Sequence, residues 1–284
     1  MKLLVGKHAG RNSVFAVNDD AATNLSLLSS AVGSDLRSLL TNPELLASLS
    51  ARIAGSDKVA IEDILPALPI ERPGKTICLG LNYADHASEG GHDMPTYPAL
   101  FMRGLESLMP SGAPMVRPKS STKLDYEAEL MVVIGKGGRH ISPDDALDHV
   151  FGYTVFNDGS VRDFQRKTPQ WTPGKNFDNT GAVGPYVVTA DDLPTGASGL
   201  KIESRVGTEI LQSANTSEMM WPVNKAIATI SEFATLNPGD MIAMGTPPGV
   251  GYARTPPRFL KPGEVIEVEI EGIGICANPV IDEE

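Results

Sequence analysis

The sequence predicts an α+β fold, predominantly β: a sandwich or roll of short strands preceded by a small α+β segment. Three observations carry this. From Lys75 onward, short apolar runs ("TICLGLN", "ELMVVIG", "GYTVFND", "GPYVVTA", "LKIESRVG", "DMIAMGT", "EVIEVEIEGIG") are separated by Gly, Pro and Asp. That punctuation belongs to many short strands. Only residues 143–150 and 223–236 read as helical in this region, the second with apolar residues at Ile227, Ile230, Phe233 and Ala234. A strict alternation of strand and helix is missing, which argues against a doubly wound parallel sheet.

The elements before Lys75 read differently. "KLLVG" and "SVFAV", joined by "KHAGRN", predict a hairpin. "SDLRSLL" and "NPELLASLSARIAG" predict helices, the second with Asn42 at the N-cap, Pro43 in the first turn and Gly55 as the stop. "LPALPIERPGK", residues 65–75, carries three prolines and reads as a linker. The expected organisation is a small N-terminal domain over residues 1–70 and a main domain over residues 73–284.

Bulk properties bound the function. A compact chain of 284 residues buries roughly three quarters of its unfolded surface and folds without disulfides or a structural metal. A formal charge of −11 argues against nucleic acid and anionic membrane as partners. Cys78 and Cys276 lie in no CxxC, so they are expected to be reduced structural thiols in a cytoplasmic protein. No run approaches 18 apolar residues, and the N-terminal apolar run is too short for a signal peptide.

"KLDYEAELMVVIGKG", residues 123–137, sets acidic groups at the mouth of an apolar run. On a strand, Asp125, Glu127 and Glu129 share one face, while Tyr126, Ala128, Leu130, Val132 and Ile134 take the other. Neighbouring carboxylates repel unless their charge is offset. A solvated strand edge does that, and so does a divalent cation; hard oxygen donors suit Mg²⁺, Mn²⁺ or Ca²⁺. "VFNDG" offers a third ligand, Asp158, at a strand end where Gly159 permits a turn. Three carboxylates would form one face of an octahedron and leave positions for water or substrate.

Five ordered blocks now resemble the fumarylacetoacetate hydrolase superfamily: "GLNYADHASE", "LDYEAELMVVIGK", "GYTVFNDGSVRDFQ", "GKNFDNTGAVGP" and "GDMIAMGTPPGVG". They cover about residues 73–280. The first 70 residues resemble the extra domain of longer bacterial members, among them acylpyruvate hydrolases and 2-hydroxyhepta-2,4-diene-1,7-dioate isomerases. The resemblance implies a mixed β-sandwich roll of that superfamily's C-terminal type and a homodimer. It implies one Mg²⁺ or Mn²⁺ per chain on Glu127, Glu129 and Asp158, and small 2-oxo acids as substrates.

Other residues take roles on that reading. His86 and Glu89 would share one side of a helical turn, with Glu89 charging the imidazole as a general base. The resemblance puts such a pair on a lid, with Gly90 and Gly91 lending it flexibility. His92 ranks second, and His149 reads as structural. Lys175 in "PGKNFD" is expected to stabilise an oxyanion. Arg162, Gln165 and Thr246 are expected to contact substrate. Arg103 stands in "LFMRGLESL" where members of the superfamily often have lysine. An arginine is a bidentate carboxylate partner, so it is expected at the substrate's distal group or on the surface.

The expected activity is metal-dependent hydrolysis of a carbon–carbon bond in a 2,4-dioxo acid of acylpyruvate type. His86 would activate water, and pyruvate would be released in the catabolism of aromatic compounds or sugar acids. The alternatives on the same site are isomerisation or decarboxylation of 2-hydroxy-dienoate dicarboxylates, or oxaloacetate decarboxylation. A metal-binding module without turnover is the alternative from another class.

Overall fold

The structure is a computed structural model that describes residues 1–18, 20–85 and 96–284. Two sheets carry the site. The larger has twelve strands among the described residues, and its centre is Gly181–Thr189, Val150–Asp158, Ala128–Ile134 and Met241–Ala243, in that spatial order. The smaller has five, ordered Glu209–Asn215, Lys201–Val206, Val265–Ile270, Gly274–Asp282 and Met115–Arg117. Together they give the mixed, mainly β architecture expected from the punctuated apolar runs.

Strand Ala128–Ile134 is buried along its whole length. Alternation decides what each side chain meets. Leu130, Val132 and Ile134 join one apolar cluster with Ile202, Ile266 and Val268 of the smaller sheet. Met131 packs in a second cluster with Cys78, Phe156 and Met241, and Val133 in a third with Leu3, Val5 and Leu39. The strand is therefore covered on both faces, and its one acidic member, Glu129, is buried.

The N-terminal hairpin forms as expected from Lys2–His8 and Arg11–Asn18. The hairpin does not stand apart: in its first strand Lys2, Leu3 and Leu4 pair with Val188, Val187 and Tyr186, which extends the larger sheet. The expected linker begins as a strand too, since Leu65–Pro66 pairs with Lys7 and Gly6. Residues 1–70 thus add strands and the helix Pro43–Ile53 to one edge of the main sheet. Asn42 takes the N-cap position of that helix without a side-chain hydrogen bond.

The helix expected over residues 223–236 is observed as Val223–Phe233. That expected over residues 143–150 shrinks to one 3₁₀ turn, Ala146–His149. The Ser142 hydroxyl accepts from the Asp145 backbone N–H and donates to the Asp145 carboxylate, the bonding of a helix N-cap, yet only this single turn follows it. His149 is structural: its Nδ1 lies 2.8 Å from the Lys136 carbonyl oxygen.

Candidate active site

Glu127, Glu129 and Asp158 converge. A carboxylate oxygen from each can be chosen so that all lie within 4.8 Å of one another, and all three residues are buried. The backbone explains this. The acidic segment breaks between Leu124–Asp125, which pairs with Ser160–Val161, and Ala128–Ile134, which pairs with Val150–Asp158. At the break the Asp158 N–H donates to the Glu127 carbonyl at 2.9 Å. The Glu127 N–H donates to the Asn157 side chain at 3.0 Å. These two bonds bring the turn after Val150–Asp158 against the acidic segment.

Three buried cations surround the carboxylates. The Lys175 ammonium donates to Glu127 Oε2 at 2.6 Å and Asp158 Oδ2 at 2.7 Å. Arg162 reaches Asp125 Oδ2 through Nε and Glu127 Oε1 through Nη1, both at 2.7 Å. Arg103 donates from Nη1 to Asp158 Oδ1 at 2.5 Å. Asp125, on the same acidic face, stays out of the triad. It accepts from Arg162 and from the N–H groups of Gly251 and Tyr252 at 2.8 and 3.0 Å, so it ties the glycine-rich loop to the site.

Charge balance singles out Glu129. The Gly245 N–H donates to its Oε2 at 2.9 Å. Burial first, then the neighbouring Asp158 and Glu127 charges, push its carboxyl well above the ordinary carboxylate range; Lys175 and the Gly245 N–H oppose this only in part. Burial alone would lower Lys175, but Asp158 and Glu127 outweigh it and its pKa is raised, so the side chain stays an ammonium at neutral pH. With all four ionised, the described carboxylates (Asp125, Glu127, Glu129, Asp158) outnumber the three cations (Arg103, Arg162, Lys175) by one. Three convergent hard-oxygen donors with one negative charge in excess fit a divalent cation.

A cavity of about 230 Å³ opens on Glu127 and Glu129. Lys175, Arg162, Gln165, Thr246, Glu127 and Glu129 line it, which brings together most of the residues expected from the sequence. The Gln212 amide donates to Thr246 Oγ1 at 2.7 Å, which leaves the threonine hydroxyl free to donate in turn. Arg162 keeps one buried donor, Nη2, without a hydrogen-bond partner. Phe101 and Trp171 form an apolar wall, edge to face at 5.7 Å between ring centroids. That wall requires Gly80, because a Cβ there would come within 2.1 Å of the Trp171 ring. Gly174 is similarly forced, since a Cβ would meet the Gln165 backbone nitrogen at 2.4 Å. This close approach sets the short helix carrying Lys175 against the one carrying Arg162 and Gln165.

Arg103 departs from expectation. It does not line the cavity; it lies behind Asp158, fully sealed from solvent. Besides Asp158 it donates to the Ser107 hydroxyl and the Gly159 carbonyl, and at 2.7 Å to Thr180 Oγ1. An arginine with its donors used in this way holds the Asp158 carboxylate in place, away from the cavity. His86 and Glu89, with Gly90, Gly91 and His92, lie outside the described residues. The sequence reading missed Tyr252, Arg166, Phe101 and Trp171 in the cavity wall, Asp125 as the loop anchor and Gln212 as the partner of Thr246. Arg166 had a signal, since it follows Arg162 by four residues.

The model of the fumarylacetoacetate (FAA) hydrolase C-terminal family matches residues 75–281. The human mitochondrial oxaloacetate tautomerase FAHD2A is 38% identical over 282 residues, 98% of this chain and 88% of its own length. Among solved structures, the fumarylacetoacetate hydrolase of the psychrophilic Exiguobacterium antarcticum superposes with a TM-score of 0.86 at 31% identity, covering 100% of both chains. Maleylpyruvate hydrolase from Sphingobium sp. SYK-6, in complex with manganese(II) and pyruvate, superposes with a TM-score of 0.84 at 27% identity, again over 100% of both chains.

Proposed function

The chain belongs to the fumarylacetoacetate hydrolase family, and from that premise we propose that it is a Mg²⁺- or Mn²⁺-dependent tautomerase of oxaloacetate. The carrying observation is the Lys175 ammonium held against Glu127 and Asp158 at the floor of a small cavity. A fixed cation at that place favours a substrate whose 2-oxo oxygen becomes an enolate. The cavity is below the roughly 300–1,000 Å³ of common ligand sites, which suits a compact acid. A relative named oxaloacetate tautomerase that aligns with nearly the whole chain supports the choice of substrate.

Glu127, Glu129 and Asp158 would hold the ion, which when bound supplies Lewis acidity toward a 2-oxo carbonyl. The chain's own groups do the rest. The Thr246 hydroxyl and Arg162 Nη2 donate to the substrate's first carboxylate. Phe101 and Trp171 exclude water on one side. The side chain of Lys175 stabilises negative charge on the 2-oxo oxygen. As an ammonium, it is a donor and not the base at C3. The His86–Glu89 pair, assigned from sequence alone, is the proposed base: it takes the C3 proton and passes it to the enolate oxygen in one direction, and reverses both transfers in the other.

The test is direct. Crystalline enol-oxaloacetate is dissolved in buffer, and the loss of enol absorbance is followed with enzyme and either ion. Acceleration over buffer, without pyruvate release, is the expected result. A rate equal to that of buffer with both ions sinks the proposal. Acylpyruvate hydrolysis is the second reading, favoured by the likeness to maleylpyruvate hydrolase. It predicts pyruvate release from 2,4-dioxo acids with solvent oxygen incorporated into the other product.

A further inference from the structure

We propose that Arg166 is the specificity-determining residue of this site: it receives the second carboxylate of a 2-oxo dicarboxylate, and so restricts the enzyme to short dianionic substrates. The inference rests on the functional reading above and adds to it a residue and a substrate class.

Arg166 lines the cavity from the C-terminal end of the helix Arg162–Gln165. Its backbone N–H donates to the Arg162 carbonyl at 3.2 Å, so the two side chains leave the same helical face. Their settings differ. Arg162 is buried and paired with Asp125 and Glu127. Arg166 is exposed, and its guanidinium lies on a ring face, 4.2 Å from the Tyr252 centroid. Among the described residues no carboxylate pairs with it. A guanidinium stacked on an aromatic ring is held in place while its in-plane donors stay available.

Charge and distance select the ligand. The deep cluster has one negative charge in excess, so a divalent cation leaves it with one positive charge, enough for one carboxylate. Arg166 adds a second positive charge at the rim, which a second carboxylate would match. The Arg162 and Arg166 guanidinium carbons stand 4.5 and 4.2 Å from the same Tyr252 centroid, so at most 8.7 Å separates them. The carboxyl carbons of an extended four-carbon diacid are about 4 Å apart. In such an acid one carboxylate can accept from the unpartnered Arg162 Nη2 and the other from Arg166; a long-chain diacid would overshoot.

The test uses two inert acids that differ only in the distal group, L-malate and (S)-2-hydroxybutanoate. Each is titrated calorimetrically into Mg²⁺-loaded wild type, Arg166→Met and, as a control, Lys167→Met; Lys167 is the next residue and lies over Phe164 instead. Wild type should bind malate about tenfold more tightly than 2-hydroxybutanoate. In Arg166→Met the preference should vanish with 2-hydroxybutanoate binding unchanged, and Lys167→Met should behave as wild type. A preference that survives in Arg166→Met overturns the assignment, as does a wild type with no preference, including one that binds neither acid. Loss of the preference in a protein that does not tautomerise oxaloacetate would leave Arg166 assigned and refute the activity alone.

Discussion

Arg103 and Asp158 form an ion pair, Nη1 to Oδ1 at 2.5 Å, in which neither side chain has any exposure to solvent. The pair lies behind the carboxylate triad and fixes one of its three members. Breaking a buried pair from one side leaves an unpaired buried charge, at a cost of about 3–5 kcal/mol. Arg103→Ala should therefore lower the unfolding free energy by about that much, and weaken Mn²⁺ binding as well. Arg103→Lys keeps the charge and loses the fork, so it should fall between the two. Denaturant unfolding and Mn²⁺ titration give both quantities; an Arg103→Ala protein as stable as wild type contradicts this role.

The Lys175 ammonium sits between two triad carboxylates and compensates part of their charge. Lys175→Met removes that compensation without touching a ligand. Divalent-cation affinity should hold or rise, while turnover falls by roughly 10²–10³. A parallel loss of metal binding and activity would mean that the lysine only shapes the metal site.

Glu129 ties metal binding to pH. Burial, then the Asp158 and Glu127 charges, raise its carboxyl well above the usual 4.5. In the metal-free protein, the native state then binds more protons than the unfolded chain from about pH 4.5 up to the raised value. Stability accordingly falls as pH rises through that window. A dication binds the carboxylate and expels the proton, so its affinity should climb over the same window. Titration calorimetry in two buffers of different ionisation heat should show proton release, and Glu129→Gln should abolish it. Identical heats in both buffers for wild type would refute the coupling.

Thr246→Val removes a hydroxyl whose oxygen already accepts from Gln212. The lost donor should raise KM about tenfold, with a smaller effect on kcat. Steady-state kinetics separate the two, and an unchanged KM would place the substrate carboxylate elsewhere.

His86→Ala tests the one assignment that rests on sequence alone. Turnover should drop by roughly 10²–10⁴ while metal affinity stays constant. Full activity in this variant removes His86 from the mechanism.

The triad was legible from the spacing of Glu127 and Glu129 and from the glycine after an apolar run that marks where Asp158 must turn, although Glu127 sits in a break of the strand and not on its alternating face. Lys175, Arg162, Gln165 and Thr246 were legible through ordered blocks. Arg103 was misplaced because charge says nothing about the side of a ligand from which a partner approaches; its depth follows from Gly181, where a Cβ would meet its guanidinium at 2.7–2.8 Å. Tyr252 and Gln212 reach the site from remote segments, and no periodicity records that closure. The hairpin at the N-terminus was readable from its own alternation, while its pairing with Tyr186–Val188 depends on a strand far along the chain.

That pairing bears on how the protein can be cut. Gly181–Thr189 lies directly beside Val150–Asp158, with Gly181 opposite Asp158. A shortened chain starting near Lys75 would keep all three triad residues and the whole family-matched region. It would also bare the backbone of Tyr186, Val187 and Val188 as an unpaired sheet margin one strand from the ligand-bearing one. Such a margin recruits strands from other molecules. The amino-terminal hairpin thus acts as a guard on the sheet, and its removal should show first as self-association and only later as lost chemistry.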